Sequence, residues 1–215
     1  MREKASTALA FDRIRERILF AGDHGKDVQG APVVVFMSRT RGEGVTTVAA
    51  GVAKAFGRAG QQKVLVVNAD DRRGGVGRLL GVTHRVRETT EPEAPRGSLP
   101  DSIQRLDKHG IDILTLGTDQ STPLAYDGSW QTVLAQLRST YDLMLVDAGS
   151  LQTQTPLTWS RWATQLLLVV DTNRTTVEAL ERLKKDLQHF PLVLTGVILN
   201  KRRYPVPQFV YRWLS

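Results

Sequence analysis

No cysteine occurs in the 215 residues, which excludes disulfides and thiolate metal sites and suits a cytoplasmic protein. No apolar run approaches the roughly 18–20 residues of a membrane-spanning helix. The opening stretch MREKASTALAFDRIRERILFA has no clean apolar signal region, because Asp12, Arg13, Arg15, Glu16 and Arg17 interrupt it. Histidine is sparse. His24, His84, His109 and His189 stand singly, without the spacing of a metal site, and read as surface or structural residues. Internal repeats and a second domain are missing from the pattern.

What is present is 41% hydrophobic residues, enough for a sizeable core in one domain over 1–215. Within it, 1–31 reads as an amphipathic helix followed by a loop, and 201–215 as a basic, aromatic tail. The formal charge is +7, with basic clusters near the start, around Arg72 to Arg87, and at Lys201-Arg202-Arg203 with Arg212. Such a balance fits an anionic membrane face or an acidic partner; with no nucleic-acid fold signature beside it, it argues against nucleic acid. The alternative is ordinary solvated helix faces.

Residues 6–21 predict a helix capped by Ser6 or Thr7, with Phe11, Ile14, Ile18 and Ala21 on one face. Strand-like runs recur at 32–37, 63–68, 112–116, 142–147, 165–171 and 192–199. Runs apolar at every position suit parallel strands covered on both sides. Helical patterns lie between them at 46–59, 129–140 and 175–189, with a short one at 155–162, and 83–101 reads as a flexible insertion. The alternation predicts an α/β fold, a three-layer P-loop NTPase-like arrangement in which helices cover both faces of a mostly parallel sheet.

In such a sheet ligands bind at the carboxyl ends of the strands, and three tips carry chemistry. After the first strand comes Ser38-Arg39-Thr40-Arg41-Gly42-Glu43-Gly44-Val45-Thr46-Thr47. Gly42 and Gly44 let backbone N–H groups turn inward, the helix start adds a positive dipole end, and Thr46 offers a hydroxyl for Mg²⁺. The second tip is Asn68-Ala69-Asp70-Asp71-Arg72-Arg73, and the third is Asp147-Ala148-Gly149-Ser150. A strand-terminal aspartate facing a phosphate loop binds Mg²⁺ directly or through water. The other reading is structural: glycines for a tight turn, aspartates as caps or partners of Arg72 and Arg73.

These tips, in this order, resemble the MinD/ParA-like deviant P-loop ATPases and most closely the cytoplasmic domain of the bacterial tyrosine kinases of polysaccharide export. The family loop reads S-x-x-P-G-E-G-K-S-T, its second motif D-A-D-x-R, and its third Y-D-x-x-x-x-D-T-P-P; Tyr141-Asp142 leads here to Asp147. Gly196-Val197-Ile198-Leu199-Asn200 is similar to the family's G-x-V-L-N, Thr175-Thr176 follows a strand as threonines do in the kinases, and Phe11 to Arg17 resembles their ring-forming helix. The resemblance implies ATP or ADP with Mg²⁺, held by Arg41, Gly42, Glu43, Gly44, Thr46, Thr47 and Asn200, the last at the adenine. It implies Thr46, Asp70 and Asp147 at the metal, with Asp147 and Asp70 as the catalytic groups if the site is active.

The departures are as specific. The loop lysine is Val45, the first aspartate of the second motif is Asn68, and the intermonomer lysine of MinD relatives falls at Thr40. The ring-helix positions are Leu9, Asp12, Arg15 and Arg17, which favours a monomer or homodimer over a closed ring. The tail has only Tyr204 and Tyr211 in place of a tyrosine cluster, while Phe209, Val210, Trp213 and Leu214 offer a short apolar face for an anionic membrane or for the domain's own core. Phosphoryl transfer depends on positioning and charge, and losing one such group costs on the order of 10²–10³ in rate. The expectation is a pseudokinase with a weakened or lost nucleotide site. It would work in exopolysaccharide or capsule biosynthesis at the inner face of the cell membrane, through a membrane co-polymerase or export protein. The alternative is an active ATPase or protein-tyrosine kinase in which Arg39 or Arg41 assists an unusual loop.

Overall fold

Strands apolar at every position need cover on two sides, and the chain supplies it. The computed structural model describes residues 2–22, 30–70, 75–82, 103–116, 129–188 and 194–201. The elements are α1 (Arg2–Gly22), β1 (Val33–Ser38), α2 (Val45–Ala59), β2 (Val64–Asn68), α3 (Gly75–Leu80), β3 (Ile103–Leu106), β4 (Ile111–Thr115), α4 (Ser129–Thr140), β5 (Leu143–Ser150), α5 (Thr155–Ser160), β6 (Gln165–Asp171), α6 (Val177–Gln188) and β7 (Gly196–Asn200). The seven strands form one sheet in the order β3-β4-β2-β5-β1-β6-β7. All neighbours pair in parallel except β3 with β4.

The period of two along β1 divides the core. Val33, Val35 and Met37 pack with Leu137 of α4, Trp159 of α5 and Leu183 of α6. Val34 and Phe36 pack on the opposite face with Ile18 of α1, Val48, Val52 and Phe56 of α2, and Leu80 of α3. The three-layer α/β expectation is therefore met.

Two elements have no counterpart in the predicted pattern. β3 is a short, half-buried edge strand, tied down where Arg105 donates to Asp112 Oδ1 at 2.9 Å and Tyr141 donates to Asp112 Oδ2 at 2.9 Å. α3 spans six residues and begins where Asn68 Oδ1 accepts from the Val76 N–H at 3.2 Å. The strand expected over 192–199 begins at Gly196, and residues 83–101 and 202–215 lie outside the described residues.

Helix α1 lies along α2. The Phe11 ring rests on Gly51, where any Cβ would collide with it, Asp12 pairs with Arg58 at 2.8 Å, and Gln165 Nε2 donates to the Ile18 carbonyl at 2.8 Å. Ala21 was expected on the buried face but is exposed. No helix among the described residues is long and apolar enough to cross a membrane. Replacing the half-buried Phe11 with alanine should cost about 2 kcal/mol, roughly half of what a fully buried ring loses. Leu9→Ala, at a position 53% exposed, should leave the urea midpoint nearly unchanged. Equal shifts for the two variants would show that α1 is not docked by this face.

Candidate phosphate-binding site

The loop from β1 to α2 is built by its own polar groups. Ser38 Oγ donates to the Thr40 carbonyl at 2.8 Å, and Thr40 Oγ1 donates to Glu43 Oε1 at 2.8 Å. Gly42 (φ 84°) and Gly44 (φ 99°) take the left-handed backbone that a side chain disfavours. A Cβ at Gly44 would also strike Asn200 Nδ2. Gly44 caps α2 with no side-chain hydrogen bond, and the first turn holds no acidic residue. The positive end of a 15-residue helix therefore opens into the loop. From the turn after β5, Gln152 Oε1 accepts from the Arg41 N–H at 3.3 Å.

Val45 does not face this cradle. It is 6% exposed and packs in the cluster of Val34, Phe36 and Val48. Thr46 is half-buried, and Thr47, Arg39 and Arg41 are exposed.

The tips of β2 and β5 meet in register, Asn68 opposite Asp147. Asp147 is 0% exposed, and the Gly149 N–H donates to its Oδ1 at 3.3 Å while its Oδ2 is a buried oxygen without a partner among the described residues. Burial pushes the Asp147 carboxyl up to about 7, with the charge of Asp70 adding to it; the neighbouring Thr46 hydroxyl and the Gly149 N–H oppose the rise. The Asp70 N–H donates to the Asp147 carbonyl at 3.2 Å. The structure thus gathers Thr46, Asp70 and Asp147 at one point. Asn68 brings no charge there; its carbonyl oxygen is committed to the start of α3. Arg72 and Arg73 lie outside the described residues.

The far side of the loop is held by β6 and β7, which pair Asp171 with Asn200. Asn200 Nδ2 donates to the Glu43 carbonyl at 2.8 Å and its Oδ1 accepts from the Lys201 N–H at 2.9 Å, so this amide grips the loop. Lys201 Nζ donates to the Gly42 carbonyl and to Asp171 Oδ2, the latter at 2.9 Å. That contact, foremost, holds the Asp171 carboxyl below its ordinary value. Thr176 Oγ1 accepts from the Ala179 N–H at 3.3 Å and so caps α6. Gln152, Asp171 and Lys201 are loop partners that no local motif of the sequence marks.

The residues present fit a phosphate and a cation in part. Two glycines, an open helix start and a buried carboxylate oxygen lacking a donor match a charged ligand, whereas the cation-bearing side chain at position 45 is absent. Among the described residues no three His, Asp or Glu side chains converge, so an ion here would complete its shell with Thr46, water or ligand oxygens.

No protein-family profile matches the chain. It is 27% identical over 175 residues to a protein named putative tyrosine-protein kinase EpsB of Ralstonia nicotianae, covering 80% of this chain and 23% of that protein. The chain thus spans about a quarter of that relative's length. Tyrosine-protein kinase YwqD of Bacillus subtilis is 27% identical over 173 residues, covering 79% of this chain and 72% of that one. Among solved structures, the VpsO kinase domain superposes with a TM-score of 0.70 at 20% identity, covering 94% of this chain and 97% of that one. The kinase domain of the Escherichia coli tyrosine kinase ETK gives 0.65 at 25% identity, over 82% and 71%. MinD of Pyrococcus horikoshii, complexed with Mg-ADP, gives 0.58 at 20% identity, over 86% and 77%. The chain is a relative of proteins named as bacterial tyrosine kinases, and its fold is shared with them and with MinD.

The buried Asp147 makes stability depend on pH. Its folded-state value of about 7 lies above the 3.8 of an unperturbed aspartate, so the folded protein keeps a proton that the unfolded chain releases. Stability from this group falls as pH rises between those values, by on the order of a few kcal/mol at most. Thermal melts from about pH 5.5 to about pH 8 should show a decline that Asp147→Asn flattens. The same slope in the variant would assign it to other groups.

Proposed function

We propose that this protein is a catalytically degenerate relative of the bacterial tyrosine kinases that acts by binding and conformation. One observation carries the reading: two of the departures from the kinase pattern, Val45 and Asn68, have structural work. Val45 fills the core beneath the loop, and Asn68 accepts from the Val76 N–H at the start of α3. Neither can supply the charge that phosphoryl transfer needs, and each such loss costs on the order of 10²–10³ in rate. What is retained (Gly42, Gly44, Thr46, Asp70 and Asp147) supports a weakened site for ATP or ADP with Mg²⁺.

The resemblance to the kinases of polysaccharide export supports a place in exopolysaccharide or capsule biosynthesis. The partner would be a membrane co-polymerase or export protein, met at the inner face of the cell membrane. The net charge of +7 suits an anionic membrane surface beside that partner. The altered ring-helix positions, with Asp12 engaged by Arg58 of its own chain, favour a monomer or dimer.

The test is turnover. With Mg-ATP, phosphate release and autophosphorylation should match those of the Asp147→Ala variant. Activity above that level, lost in the variant, would establish a working ATPase or kinase instead.

A further inference from the structure

The loop has lost the lysine that its own helix would contribute, yet one lysine ammonium sits on the loop. Lys201 arrives from the end of β7 and donates to the carbonyl of Gly42, the glycine at the turn of the cradle. Asp171, whose side chain is 2% exposed, holds the same ammonium at 2.9 Å. Two of its three N–H donors are thereby accounted for and the third is open, since the Lys201 side chain is 44% exposed.

The geometry is specified locally. Lys201 is the only non-glycine among the described residues with positive φ, at 55°. Its N–H is held by Asn200 Oδ1 at 2.9 Å, and its carbonyl accepts from Asn173 Nδ2. A non-glycine residue kept in this region by its surroundings is a feature of ligand clamps. Arg174 adds a second cation on the same side, its Nη1 lying 3.5 Å from where a Cβ on Gly42 would be. Arg39 and Arg41, nearer in sequence, are exposed and form no ion pair among the described residues.

We infer that Lys201 is the relocated phosphate-binding cation of this loop, contacting the terminal phosphates of a nucleoside diphosphate or triphosphate in place of the side chain missing at Val45. This rests on the reading that the site binds nucleotide. Asp171 positions the ammonium, and an incoming phosphate takes the open donor.

Calorimetric titration of the full chain with Mg-ADP and Mg-ATP tests this. Lys201→Gln keeps a donor for the Gly42 carbonyl but removes the charge, and should weaken binding about tenfold or more. Lys201→Arg keeps the charge and should stay within roughly threefold of the wild type. The salt dependence of affinity should also be shallower in Lys201→Gln than in the wild type. If wild type and Lys201→Gln bind equally, with equal salt dependence, Lys201 is only a latch on the loop and the inference is overturned while nucleotide binding stands. If the wild type binds neither nucleotide, both fall.

Discussion

The parallel pairing of β1 with β5 at the middle of the sheet is the constraint from which the site follows. Phe36 lies opposite Asp147, but Ser38 lies opposite Ser150, so β5 takes one more residue than β1 over that interval. This irregularity falls where the loop leaves the sheet, and bulges of this kind re-aim side chains. Just before it stands Asp147, an aspartate without exposed surface, with Asn68 registered on its other side. The Leu151 N–H then donates to the Ser38 carbonyl at 2.9 Å and fixes the exit of both strands together.

Around that centre an amide at Asn68 and an apolar side chain at Val45 leave the site with little charge but with its space open. Low dielectric makes a buried carboxylate costly, with Asp70 near it adding to the cost, and Asp147 answers by holding its proton more tightly. A third carboxylate at position 68 would have raised that cost, and an amide there lowers it. The cradle stays open because its walls are backbone: two glycines in left-handed geometry and the uncapped first turn of α2. Its outer rim is drawn in by Asn200 and Lys201, so residues from the end of β7 close the loop from far along the sequence.

Legibility in the sequence followed burial and distance. β1, β2, β5 and β6 are buried at every position, and such runs announce themselves. β3 is half-exposed and four residues long, and α3 is six residues with two glycines, so neither leaves a periodic mark. Ala21 has the right helical phase, but phase does not say where the covering helix ends. At the site, the residues borne by local motifs were readable, since a glycine pair or a strand-end aspartate carries its geometry with it. Lys201 was not: the contact with Gly42 spans 159 residues and exists only because β7 closes the sheet beside β6. Strand order decides it, and a linear pattern does not contain strand order.

The burial of Val45 bears on how freely the loop could change. A residue that had merely fallen out of use on a surface could be exchanged back at no expense to the fold. This one is buried in one cluster with Phe36, Val48 and Val169, so a long cationic chain here would either bury its charge or swing out and leave a void beneath the loop. Several neighbours would have to change in concert before a lysine here was as stable as the valine. Packing at this position therefore works as a ratchet, holding an apolar residue at the start of α2 against exchange for a charged one.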